Sequence, residues 1–182
     1  PMSTAASLTV VSLRCEYLTD PLGVGERSPR LTWKLAAGPG AEQARGLAQS
    51  AYQILVASSQ ANLDKGNGDL WDSGKVVSKE TAFIPYAGRA LKSGQRVYWN
   101  VRVWDQDGKQ SAASKAALWE MGLLDRGEWK GKWIGSSISG GTHQEAPASM
   151  VRKQFAIAAG KRIASARLCL LYTSPSPRDA TL

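Results

Sequence analysis

The sequence predicts an all-β fold of two facing sheets, and three observations carry that expectation. Stretches in which β-branched and aromatic residues alternate with polar ones recur at short intervals, the signature of half-buried strands. Segments rich in Gly, Pro, Asn and Asp separate them, as turns require. Helical periodicity is nearly absent, while seven tryptophans among 182 residues offer the bulk that a sandwich core needs.

Seven strands are expected before residue 122. Leu8–Tyr17 runs until DPLGVGERSP interrupts it, and Arg30–Ala36 lies between that connection and AAGPGAEQARG. Ala51–Ser58 ends before LDKGNGD, after which Trp71–Ser78 and Ala82–Pro85 resume the alternation. Arg96–Asp105 stops at the Asp107-Gly108 pair, a tight-turn signal, and Ala116–Met121 closes the set. Side chains alternate across a strand, so Val97, Trp99, Val101 and Val103 share one face of RVYWNVRVWD and Tyr98, Asn100, Arg102 and Trp104 the other. The first face reads as core. On the second, Arg102 stands between Tyr98 and Trp104, where a guanidinium can lie against rings.

Composition narrows the function. Lysine and arginine exceed aspartate and glutamate by 23 to 15, a net charge of +8, but the basic residues are scattered singly. A nucleic-acid interface concentrates charge on one element, so that partner is not expected. Neither is a membrane, because no apolar run approaches the roughly 20 residues that a span needs. Pro1, not Met, comes first, which leaves an upstream leader open. Cys15 and Cys169 are far apart and lack metal-ligand spacing, so neither a disulfide framework nor a zinc site is indicated.

The character changes after Gly122. GLLDRGEWKGKWIG sets Trp129 and Trp133 four residues apart, and SSISGGTHQEAPAS reads as a flexible polar loop. Strand signals return at Met150–Ala156 and Lys161–Leu171, enough to begin a second sheet and too few to close one. The last residues, LYTSPSPRDATL, break from the pattern and read as a non-native tail. Four segments result: a sandwich over 1–127, a tryptophan-bearing linker and loop over 128–146, opening strands of a second β domain over 147–171, and the tail over 172–182.

Catalytic patterns fare poorly. His143, the only histidine, lies in a Gly-Gly-Thr loop with nothing to fix its rotamer, so a Ser-His-Asp triad is not expected. Gly68–Lys75 has one residue too many for a phosphate loop, and Val76 stands where a hydroxyl is required. Asp64–Asp69 lacks the alternating acids of a calcium loop and reads as a hairpin turn. Asp69, Asp72, Asp105, Asp107, Glu120, Asp125 and Glu128 all fall in turns or at strand ends, where turn chemistry and solvation are their usual work. No catalytic, cofactor-binding or metal-ligating residue is assigned, and no cofactor is expected.

Taken in order, LRCEYLTDPLGV, SPRLTWKL, QSAYQILVASS, LWDSGKV, YWNVRVWDQDGKQSA and WKGKWIG resemble the N-terminal region of bacterial α-L-rhamnosidases. The likeness runs over about residues 8–171. It implies a fibronectin type III-like β-sandwich, followed by a jelly-roll-like β domain whose first strands end this chain. The catalytic carboxylates of an inverting glycosidase would then lie in a later (α/α) barrel, so none transfers to a position here. The implied partners are the barrel and β domains of the parent chain. Val97 departs from the family's usual tyrosine at that place, so the corner hydrogen bond of such modules should be absent. A second reading is a stand-alone carbohydrate-binding or adhesion module, stacking sugars on Tyr98, Trp104, Trp129 or Trp133. Burial of Trp129 and Trp133 against the sandwich would favour the linker role over the sugar platform.

Overall fold

A computed structural model of the chain describes residues 7–132, 152–154 and 156–163. They fall in two units, Pro1–Gly131 and Lys132–Leu182. In the first, eight strands form two sheets. The smaller is ordered β1 (Leu8–Cys15), β3 (Arg30–Ala37), β6 (Ile84–Pro85). The larger is ordered β2 (Leu22–Val24), β8 (Ala117–Met121), β7 (Arg96–Asp105), β4 (Gln49–Ala57), β5 (Trp71–Asp72). All neighbours run antiparallel except β2, which lies parallel to β8. The fold is the predicted all-β, fibronectin type III-like sandwich.

The inner face of β7 is as expected: Val97, Trp99, Val101 and Val103 are all fully buried. Trp33 of β3 packs edge-on against Tyr52 of β4, ring centroids 5.1 Å apart, and so ties one sheet to the other. From Trp71 the rings continue through Tyr86 and Trp119 to Trp99, with centroids 5.4, 5.7 and 6.3 Å apart. A buried indole needs a partner for its N–H. Trp33 Nε1 donates to Gln49 Oε1 at 3.1 Å, and Gln49 Nε2 in turn reaches the carbonyls of Ser78 and Glu80. Trp119 Nε1 donates to Met121 Sδ, whereas Trp99 Nε1 finds no hydrogen-bond partner. The crowded aromatics therefore hold the sheets together.

Several predicted boundaries are corrected. β1 ends at Cys15, not Tyr17, because Glu16 and Tyr17 adopt left-handed φ of 47° and 68° in succession, which turns the chain out of the ladder. It also carries a bulge: Val11 pairs with Lys34 but Arg14 with Thr32, and Ser12 is the extra residue, at φ 53°. That residue changes the parity, so Leu8 and Val10 point inward before it and Leu13 and Cys15 after it. The strand expected at Trp71–Ser78 is only Trp71–Asp72, since Gly74 at φ +60° turns the chain out. Val76 then rejoins by reciprocal backbone bonds with Tyr52 of 2.8 and 2.9 Å. Phe83, at φ 60°, shortens Ala82–Pro85 to Ile84–Pro85.

Two elements lay inside stretches read as connections. β2 occupies Leu22–Val24. A short helix, α1 (Gln60–Asp64), precedes the turn expected over Asp64–Asp69, and both lie in the connection between the antiparallel neighbours β4 and β5. Ser59 accepts from Asn62 N–H at its N-terminus, and Gly66, at φ +71°, stops it. Leu63 of α1 packs with Leu55 and Ala57 of β4 and with Tyr98, covering part of the outer face of the larger sheet.

Val97 lacks a hydroxyl and is fully buried. Tyr86 Oη donates to the Arg89 carbonyl at 2.7 Å. Gly88 sits so close that an added Cβ would come within 2.5 Å of the Leu70 carbonyl and 2.6 Å of Tyr86 Oη. In the second unit the described residues 152–154 and 156–163 belong to no strand and are exposed, with a turn closed by Lys161 N–H on the Ala158 carbonyl. Of the strands expected at Met150–Ala156 and Lys161–Leu171, the described residues 152–154, 156 and 161–163 are in no strand. The remainder of both spans, and His143, Trp133 and Cys169, lie outside the described residues.

Candidate functional site

Four aromatics were the candidate sugar platforms, and the structure separates them. Tyr98 packs beneath α1 against Leu55, Ala57 and Leu63 and is half-buried. Trp104 is covered by Lys75, whose Nζ stands 4.6 Å above the ring centroid. The expected cation was Arg102, but the excursion at Gly74 swings Lys75 over the ring instead, and Arg102 Nε is buried without a hydrogen-bond partner. Trp129 keeps 45% of its surface exposed. It follows a single 3₁₀ turn, Arg126–Glu128, where the Glu128 carboxylate accepts from the N–H groups of Leu124 and Asp125 and from the Ser93 hydroxyl.

The acids are engaged one by one and do not face each other across a cleft. Asp69 accepts from the backbone and hydroxyl of Ser58 at 2.9 and 2.6 Å. Asp72 caps the Gly74 excursion and takes a bond from Gln53 Nε2. Asp107 accepts from Gln106, Glu120 pairs with Arg96 at 3.0 Å, and Asp125 with Arg27 at 2.7 Å. Asp105 is the most built of them. Fully buried, it accepts from Ser7 N–H and Oγ, both at 2.9 Å, and from the N–H groups of Asp107 and Lys109 at 3.0 and 2.9 Å. Burial alone would push its pKa up, but those bonds to Ser7, Lys109 and Asp107 outweigh it and hold the carboxyl below its ordinary value. This acid fastens the turn at the end of β7 to the start of the described chain.

One cluster was not anticipated. Where β1 turns toward β2, Tyr17 meets Phe83 edge-on at 5.5 Å, and the Arg30 guanidinium lies 5.4 Å from the first ring centroid and 6.0 Å from the second. Glu16 grips that guanidinium through Nε at 3.1 Å and Nη2 at 2.7 Å, and also accepts the Arg30 backbone N–H at 2.6 Å. The side-chain bonds to Arg30 hold the Glu16 carboxyl below its usual range. Beside it Cys15 is buried and its thiol pKa is pushed up to about 12, first by desolvation and then by Glu16, which disfavours the thiolate. A groove of about 590 Å³ runs along the outer edge of β1, lined among others by Val11, Ser12, Thr19, Asp20 and Lys115. The pattern of EYLTD gave no signal of this, because nothing in residue type announces a left-handed Glu-Tyr pair. Among the described residues no group of three His, Cys, Asp or Glu side chains is arranged to hold a metal ion.

What the sandwich belongs to follows from comparison with known proteins. The family described as the Rha78A-like, N-terminal immunoglobulin domain matches residues 10–125, from within β1 to Asp125. The chain belongs to that family. An α-L-rhamnosidase of Streptomyces avermitilis is 47% identical over 129 residues, which are 71% of this chain and 12% of the relative. The crystal structure of a Streptomyces avermitilis α-L-rhamnosidase complexed with L-rhamnose matches with TM-score 0.64 and 46% identity, over 71% of this chain and 12% of that one. An α-L-rhamnosidase structure from Dictyoglumus thermophilum gives TM-score 0.65 at 37% identity, over 70% of this chain and 14% of that one. The Rha78A-like domain is thus a small fraction of the curated relatives it matches. Its position at the N-terminal end of rhamnosidase chains is what the ordered motifs had implied.

Proposed function

We propose that this chain is the non-catalytic N-terminal module of an α-L-rhamnosidase whose parent hydrolyses terminal α-L-rhamnosyl residues from glycosides or polysaccharides. The observation that carries the reading is the family match over 10–125, joined to a set of carboxylates each spent on a turn, a cap or an ion pair. Inverting hydrolysis needs a general acid and a general base held across the scissile bond with room for water between them. The barrel that would aim such a pair belongs to the parent, and so does the chemistry. The module's work is packing: it presents a stiff, tryptophan-filled body to the rest of the polypeptide. In this reading residues 1–127 are the sandwich, 128–146 the linker, 147–171 the opening strands of the following β domain and 172–182 a non-native tail.

Trp129 favours a second reading, because its exposed ring could stack on a pyranose face. Two measurements separate the readings. Purified residues 1–182 should release no product from an aryl α-L-rhamnoside, and turnover by them would refute a non-catalytic role. Titration with L-rhamnose should leave the tryptophan fluorescence unchanged, whereas saturable quenching lost in Trp129→Ala would install the carbohydrate-binding module instead.

A further inference from the structure

We propose that the Tyr17–Phe83 corner is the surface on which the remainder of the parent polypeptide seats, through an apolar segment of that downstream body; this rests on the reading above. Of the eight large hydrophobic side chains exposed among the described residues of the first unit, five lie in β1, the turn after it, β2 or the ring that touches Tyr17. They are Val11, Tyr17, Leu18, Leu22 and Phe83, with Tyr17, Leu18, Leu22 and Phe83 each more than half exposed. The backbone adds an independent mark. Every non-glycine residue with a left-handed φ among the described residues, namely Ser12, Glu16, Tyr17, Asp20 and Phe83, lies in this same corner. Such conformations persist only where the surroundings over-determine them, and they collect at functional surfaces.

The surroundings here do over-determine them. Cys15 and Leu18 exchange backbone bonds of 3.0 Å, Phe83 N–H donates to Thr32 Oγ1 at 3.2 Å, and Asp20 Oδ1 accepts Leu118 N–H at 2.9 Å. The corner is thereby pinned to β3 and β8 in a shape that displays rings to solvent. Its chemistry selects the occupant. Arg30 and Glu16 pair with each other, the exposed Arg14 guanidinium donates to the Tyr17 carbonyl at 3.4 Å, and the Arg30 guanidinium already lies over both rings where a sugar would stack. An apolar protein surface fits, and a parent of that length has ample further chain to provide it, since this chain spans only 12% of the Streptomyces avermitilis relative.

The test compares hydrogen exchange in the full-length parent polypeptide with that in residues 1–182. Amides of 16–20 and 82–84 should exchange at least tenfold more slowly in the full-length chain. Asn tolerates the left-handed region, so Tyr17→Asn with Phe83→Asn should leave the thermal midpoint of residues 1–182 unchanged or higher. In the full-length chain the same pair should abolish the protection, a comparison that does not depend on the fragment folding alone. Equal exchange in both chains would overturn the docking face, as would slowing in residues 1–182 produced by L-rhamnose or by raised protein concentration. Aryl rhamnoside turnover by the full-length chain is scored separately. Turnover with an unprotected corner removes the docking face and leaves the enzyme assignment standing, while no turnover removes the assignment itself.

Discussion

β7 and the corner after β1 are built on opposite terms. β7 runs ten residues with unbroken alternation, its inward side chains fully buried and its partners β4 and β8 on either side. The corner interrupts β1 with a bulge, bends the chain through left-handed residues and leaves large apolar groups in water. The first is what a sandwich needs to stand. The second weakens an isolated sandwich, so a stable module that retains it points to a partner. Substitutions in β7 should therefore destabilise, and those that relax the corner should not.

The largest effect is expected at the centre. Trp99→Ala removes a fully buried indole that meets Trp119, and should cost about 3–5 kcal/mol, read as a fall in the urea midpoint. Next is Asp105 at the end of the same strand. Its loss in Asp105→Ala strands the Ser7, Asp107 and Lys109 donors and should cost about 2–3 kcal/mol by the same titration. Because the folded carboxyl is held below its unfolded value, its stabilisation is fully present above the unfolded pKa of about 4 and drains away as pH falls through the folded pKa. Unfolding followed from pH 6 to pH 2 should show that acid loss in the wild type and a flatter profile in Asp105→Asn. Gly88→Ala follows, at about 1–3 kcal/mol, because the new methyl meets the Leu70 carbonyl at 2.5 Å and Trp71 Cβ at the same distance. The smallest effect carries the opposite sign. Ser12→Gly suits the φ of 53° at the bulge and should raise stability by about 0.5–1 kcal/mol, measured by thermal unfolding. A loss there would mean that the corner is no less relaxed than β7, and the contrast between them would fall.

How much of this was legible depended on how local the cause was. The inward face of Val97, Trp99, Val101 and Val103 could be read because alternation acts within one strand. The arrest at Phe83 could not, since an L-residue at φ 60° reflects its neighbours and not its own preference, whereas Gly74 was a visible breaker inside the strand expected at Trp71–Ser78. α1 escaped because five residues are too short to show a helical period, although Ser59 ahead of Gln60 was a cap signal in plain view. Lys75 displaced Arg102 over Trp104 for a related reason: which cation reaches a ring is decided by where a loop returns. The motifs quoted in order from LRCEYLTDPLGV to WKGKWIG carried family membership without any of this geometry.

By itself, then, the chain's own order of residues determined the layered β architecture, the tryptophan core and kinship with rhamnosidase N-terminal domains. Each follows from short-range pattern or from residue type. Only the folded arrangement decided that Tyr98 lies under α1, that Asp105 fastens Ser7, and that Tyr17, Phe83 and Arg30 share one corner. Those pairs join residues from 13 to 98 positions apart, and such contacts exist only once the sheets have closed around their core.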